Sequence, residues 1–241
     1  MSGKTMSDFA ESAKKARLDM GWRETKKEDM ARLRKSDLPQ FNWFDLPYSA
    51  FTQDNVPLME FFVHNSSKGD IHCVRALPNE GGRNKGYTRK PFLGLRGFED
   101  SKKALEQVIK HGEEKFWDMS ITANPPAQPY GGVIFVGRRR VIGEISGKLD
   151  KLTAMEENPY ASFTWDRAEP GRYEATLNWL LEGNEQSRKT LLTALRYLIC
   201  TKGEDLPIIL RGYFEFVASG IGEIKFLDYK TSDNYLAGLD N

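Results

Sequence analysis

The chain has 241 residues, 39% of them apolar and 29% charged, which fits a folded protein with a substantial core, built as one large domain or as two lobes. Its 35 lysines and arginines nearly cancel 34 aspartates and glutamates, so bulk charge argues against a nucleic-acid or anionic-membrane partner. No apolar run reaches the length of a membrane span. Cys73 and Cys200 sit within apolar runs and are expected as buried thiols of a reducing compartment. The N-terminus is charged throughout and has no hydrophobic signal core, so a cytoplasmic protein is expected.

Residues 7–35 are expected to be helical, with Thr25 and Glu28 at capping-box spacing. The aromatic segment Phe41 to Phe44, punctuated by Pro39 and Pro47, is expected to staple this region to the domain. Residues 71–77 read as a strand ended by Pro78, followed by a loop over 79–91 rich in glycine and basic residues. Residues 91–95 re-enter a sheet. A helix follows from Asp100 or Ser101 to about Lys110, with Gly112 as its stop. Residues 116–122 read as a strand, and the prolines between Asn124 and Pro129 as a stiff break. A hairpin is expected over 132–136 and 139–145, then a loop over 146–158, helices over about 171–182 and 185–200, and a terminal hairpin. Short connections and mainly antiparallel pairs describe an α+β protein.

The terminal hairpin carries the most informative residues. Glu215 and Asp228 each stand among apolar and aromatic neighbours. If the turn is symmetric about Gly220 and Ile221, Glu215 lies opposite Phe226, and Glu215 and Asp228 are diagonal neighbours on one face, roughly 7–8 Å apart at the backbone. Burying two unpaired carboxylates is too costly for a fold. A shared divalent cation, a basic partner or solvent therefore meets them.

Arg75 poses a similar question. A guanidinium in an apolar strand requires an anion, either an internal carboxylate or a ligand. The glycines after it let backbone N–H groups approach a polyphosphate. No Walker-type or dinucleotide fingerprint is present. Arg138, Arg139 and Arg140 mark a hairpin tip, solvated or touching an anion. His64, His72 and His111 show no metal-ligand spacing with the cysteines.

The run from Asp70 to Pro78, the basic glycine-containing loop, Leu93 to Asp100 and the helix after it resemble the first half of an ATP-grasp domain. Gly131 to Val136 with Arg139 to Ile145 looks like that family's second lobe, and Phe214-Glu215-Phe216 with Phe226 to Lys230 like its two metal-carrying strands. The closest flavour is the ATP-grasp portion of phosphoenolpyruvate synthase-like proteins and related archaeal-type proteins of unclear role. The resemblance spans about residues 55–235 and rests on the order of individually loose motifs. It implies a two-lobed ATP-grasp-like fold with a short helical extension over 1–50, a first lobe over 51–124 and a second over 125–241.

The resemblance further implies ATP held between the lobes and magnesium on Glu215 and Asp228. Residues 116–124 would border the adenine, and Arg75, Arg83, Lys85 and Arg89 would hold phosphates. Lys230 would neutralise transferring charge, and Lys148 and Glu144 would be the candidates to face the acceptor. The implied activity is that of an ATP-dependent ligase or phosphotransferase acting on a carboxylate-bearing or other acceptor, a small molecule or a protein. The chain departs from the family pattern at Lys230, where an asparagine is common, at Arg75, where lysine is commoner, and over Pro125 to Pro129, where an acidic residue is frequent. Residues 1–50, short and highly charged, are not expected to form a separate N-terminal substrate domain. A non-catalytic binding module, assembling with partners or oligomerising through residues 1–50, is the alternative. An RNA-associated protein is the weaker one.

Overall fold

Two runs of period-two alternation, separated by the proline-rich break, build two antiparallel sheets. The computed structural model describes residues 26–51, 56–57, 60, 71–88, 93–95, 98–124, 129–137, 140–149, 152, 157–166, 177–199, 212–219 and 222–230. The chain divides into two compact units, Phe41–Pro126 and Met1–Gln40 with Ala127–Asn241. The expected extension over 1–50 is thus shared between them. The helix ending at Lys35 packs on the second unit, and residues 41–51 belong to the first.

In the unit Phe41–Pro126, β1 (Trp43–Pro47), β2 (Ile71–Pro78), β3 (Leu93–Leu95) and β4 (Trp117–Asn124) form a four-stranded sheet in the order β1-β4-β2-β3, with every pair antiparallel. Alternation sends Leu46, Val74, Ala76, Met119 and Ile121 to one face. There they pack on Tyr48 and Phe51 of α2 (Tyr48–Phe51) and on Leu105 and Ile109, in and just past the helix Phe98–Val108, which is α4. Gly112, at a φ of 86°, turns the chain after α4 into the region only glycine enters freely.

The other unit holds α1 (Lys26–Lys35), β5 (Tyr130–Val136), β6 (Arg140–Ser146), β7 (Ala161–Asp166), β8 (Leu177–Leu181), α5 (Glu185–Ile199), β9 (Gly212–Ala218) and β10 (Ile224–Lys230). Its six strands run β10-β9-β5-β6-β7-β8, again all antiparallel. One face presents Ile134, Val136, Val141, Ile145, Phe163, Phe214 and Phe216 to the buried stripe Leu191, Ala194, Leu195 and Leu198 of α5. Asn184 caps that helix by accepting from the Ser187 N–H at 2.7 Å. Gly143 has no Cβ because the Phe163 ring occupies that space. The opposite face carries Val133, Phe135, Ile142 and Tyr213 beneath Leu149 and Leu152. The fold is α+β.

Two expectations fail locally. Residues 177–181, expected in a helix, form β8, because pairing with β7 shields Trp179 against Phe163 at a centroid distance of 5.8 Å. Residues 171–176 lie outside the described residues, as does Thr25. β1 and β7 were not anticipated as strands. In both, tertiary pairing overrides a segment whose own alternation is broken by proline or aromatics.

Candidate functional site

The terminal hairpin differs from the symmetric pairing expected of it. Ile224, Lys225 and Phe226 pair with Ala218, Val217 and Phe216, but Asp228, Tyr229 and Lys230 then pair with Glu215, Phe214 and Tyr213. Leu227 is the extra residue of a β-bulge. Glu215 therefore faces Asp228 directly and not Phe226. The two carboxylates share a face as cross-strand partners, with Cβ atoms about 4.5–5.5 Å apart in such pairs. Asp228 is buried, and its Oδ1 accepts from the Tyr229 N–H at 3.0 Å. Glu215 is half-buried.

The row continues across the sheet. Glu215 pairs with Val133, Val133 with Glu144, and Glu144 with Ser162. Asp228, Glu215, Glu144 and Ser162 thus stand on one face, and the strand spacing of about 4.8 Å puts Glu144 roughly 10 Å from Glu215 at the backbone. Glu144 and Ser162 are both 1% exposed, and Ser162 Oγ has no hydrogen-bond partner among the described residues. One row on, Lys230 stands opposite Tyr213. Beside the row, the turn after β6 closes on itself. Ser146 Oγ accepts from the Lys148 N–H at 3.1 Å and donates to the Lys148 carbonyl at 3.0 Å, leaving the Lys148 side chain exposed. That turn lies over Gly131, where any Cβ would meet the Leu149 backbone.

Arg75 belongs to the other sheet. It is half-buried on β2, opposite Ser120 of β4, and Ser120 is opposite Asp45 of β1. These three form a polar row on the face turned away from the apolar core of that unit. The expected glycine-rich loop is partly a helix, α3 (Glu80–Asn84), capped by Asn79. Asn79 Oδ1 accepts from the Gly82 N–H at 3.1 Å, and Asn79 Nδ2 donates to the Lys115 carbonyl at 2.7 Å. The amides of Arg83, Lys85, Gly86 and Tyr87 also bond within the segment. Backbone cradling of a phosphate, which the glycines suggested, is therefore not available at these amides. The Arg83 and Lys85 side chains are exposed. The Lys85 ammonium lies 4.1 Å from the centre of the Phe116 ring. Arg89 lies outside the described residues.

Among the described residues, no group of three or more His, Cys, Asp or Glu side chains is arranged to hold a metal. The Glu215–Asp228 pair supplies two carboxylates. That suits magnesium completed by phosphate oxygens and water better than an all-protein cage. Sequence reasoning missed Ser162, Ser120 and Asp45. Their signal is a polar residue at the outward phase of a strand, legible for Ser120 in the expected strand β4 but for Asp45 and Ser162 only once β1 and β7 are known to be strands.

No protein family pattern and no curated protein matches the chain. Solved structures similar to it include D-alanine-D-alanine ligase from Coxiella burnetii, at 9% identity and a TM-score of 0.41, covering 86% of this chain and 47% of that one. D-cycloserine synthetase DcsG is similar at 13% identity and a TM-score of 0.42, covering 88% of this chain and 63% of that one. D-alanine-D-alanine ligase from Helicobacter pylori is similar at 12% identity and a TM-score of 0.41, covering 89% and 56%. The chain thus spans about half to two thirds of the length of these proteins. Likeness at these scores assigns neither family nor activity. Among the described residues, no helix is long and apolar enough to cross a membrane.

Proposed function

We propose that this protein binds ATP with magnesium and transfers the γ-phosphoryl group to an acceptor, as an ATP-grasp-like ligase or phosphotransferase. The observation that carries this reading is the pairing of Asp228 with Glu215 on one sheet face, in a row that continues to Glu144. Two adjacent carboxylates attract a hard cation, and a polyphosphate supplies the remaining oxygens. The bound metal would neutralise charge on the phosphates. Arg75, Arg83 and Lys85 are the cationic side chains for the phosphates, with Lys230 standing one row beyond the carboxylates. With a carboxylate acceptor, the acceptor oxygen bonds to the γ-phosphorus, the bond to the β–γ bridging oxygen breaks, and ADP leaves with that oxygen. Glu144 and Lys148, at the middle of the row and at its border, are the acceptor-side candidates. The phosphoenolpyruvate synthase-like subtype and a cytoplasmic location belong to this proposal.

The position of Lys230, where a second metal-binding asparagine is common in the family, favours a second reading, a non-catalytic nucleotide-binding module. A thermal-shift titration tests the binding shared by both. ATP with magnesium is expected to raise the melting temperature more than sulfate does at equal concentration, and equal shifts would overturn both readings. ADP release with a panel of carboxylate acceptors then separates enzyme from module.

A further inference from the structure

The aromatic segment that begins β1 divides between two faces. Phe44 pairs with Ile121 and packs against the apolar core of the smaller unit, which is the stapling role expected of the segment. Alternation sends Trp43 to the other face, where 42% of it is exposed. A single exposed aromatic is common on protein surfaces. What gives this one a role is the company it keeps on that face.

It is the face of the polar row. Trp43 stands opposite Thr122 of β4 and one alternation step along β1 from Asp45, which is opposite Ser120, itself opposite Arg75. Among the described strand positions of this face, Arg75 is the one cation, while the acids Asp45 and Asp118 lie on β1 and β4. A polyphosphate is therefore drawn to Arg75 on β2 and repelled from β1. A ligand with its phosphates on Arg75 can lay only an uncharged end towards Trp43. Two residues along a strand span about 6.8 Å and two strand spacings about 9.6 Å, which puts Trp43 and Arg75 roughly 12 Å apart at the backbone. An extended nucleoside triphosphate bridges that distance between two long side chains, with its planar base on the indole. Aromatic rings bind nucleobases in this way, through the π-face that every base presents.

We propose that Trp43 is the residue on which the adenine of bound ATP stacks, on the sheet face that carries Arg75. This rests on the ATP reading and adds to it a residue that recognises the base.

The test uses the full-length protein and two probes with magnesium, ATP and inorganic tripolyphosphate, titrated by calorimetry. Tripolyphosphate carries the phosphates without the base. Trp43→Ala is expected to weaken ATP binding about tenfold, the scale of one base stacked on an aromatic ring, and to leave tripolyphosphate binding within about twofold. Trp43→Phe keeps a ring and is expected to bind ATP within about threefold of the wild type. A folded Trp43→Ala variant that binds ATP like the wild type overturns the inference and leaves the ATP reading standing. Equal weakening of both probes overturns it too, because the indole then serves the structure and not the base. Wild-type protein that binds no ATP overturns both the inference and the ATP reading. Should the alanine variant not fold, or tripolyphosphate not bind, the wild type decides. Nuclear Overhauser contacts between the Trp43 indole and the adenine protons of bound ATP support the inference, and bound ATP without them overturns it.

Discussion

The four-stranded and six-stranded sheets each bury one face under a helix and keep a polar row on the other, but the rows differ in charge and in how they arise. In the smaller sheet, Asp45, Ser120 and Arg75 align through unbroken register, so plain alternation places them. In the larger, Glu215, Glu144 and Ser162 also align through unbroken register, and Asp228 joins them across the bulge at Leu227. The smaller row contains a cation and an anion. The larger gathers three carboxylates, which calls for a positive ligand or bonded donors. Like charges gathered in one row are a better mark of a ligand site than a row that already holds both signs.

The largest expected effect bears on the frame of the acidic row. Phe214→Ala, removing a fully buried ring behind Glu215 and Asp228, should cost about 3–5 kcal/mol in urea unfolding. A cost below about 1 kcal/mol would show that this face is not the core that holds the row. Next come the row's own charges. Glu215→Gln and Asp228→Asn should each remove the magnesium dependence of the ATP-induced thermal shift while the unliganded melting temperature stays within a few degrees, roughly the effect of 1 kcal/mol. Unchanged magnesium dependence in both variants would remove the metal from the comparison.

Arg75→Ala should weaken ATP binding by about tenfold, the scale of one charge-assisted hydrogen bond, as read by calorimetry. Unaltered affinity would confine nucleotide recognition to the larger unit. Asn79→Ala should lower stability by about 1 kcal/mol through loss of the α3 cap, measured by urea unfolding.

The smallest effect is a pH dependence confined to the smaller unit. Burial, followed by the charges of Glu106 and Glu114, holds the Tyr48 phenol above its ordinary value. The folded state then keeps a proton that the unfolded chain loses above about pH 10. The associated stability is complete below that pH and is lost as pH rises through the folded value. Tyr48→Phe should flatten this alkaline decline in pH-dependent melting, and an unchanged slope would assign it elsewhere.

Much of this architecture is legible in the amino-acid order. β2, β4, the β5–β6 hairpin, α5 and the terminal strands follow from alternation or helical spacing that matches the burial found. β1, β7 and β8 are not legible in that way. Trp43, Trp165 and Trp179 sit in segments whose local pattern is equivocal, and partners distant in sequence decided their state. Glu215 and Asp228 stand out in the sequence as isolated acids in apolar strands, whereas their direct opposition does not. A symmetric turn predicts a diagonal, and a bulge leaves no clear composition signal when the inserted residue is as ordinary as Leu227.

By itself the sequence determined which residues alternate, which helices carry an apolar stripe, and that two carboxylates near the C-terminus share a hairpin. Such properties are local, set by the side-chain periods of strands and helices. Tertiary structure decided the register. Burying Tyr229 beside Phe214 while keeping Asp228 out of the core required one residue to leave the ladder, and the hydrogen bond from the Phe226 N–H to the Pro39 carbonyl adjoins that point. Glu144 and Ser162 stand in the same row through regular pairing, and they meet Glu215 only because β9 pairs with β5, a strand distant from it in the chain.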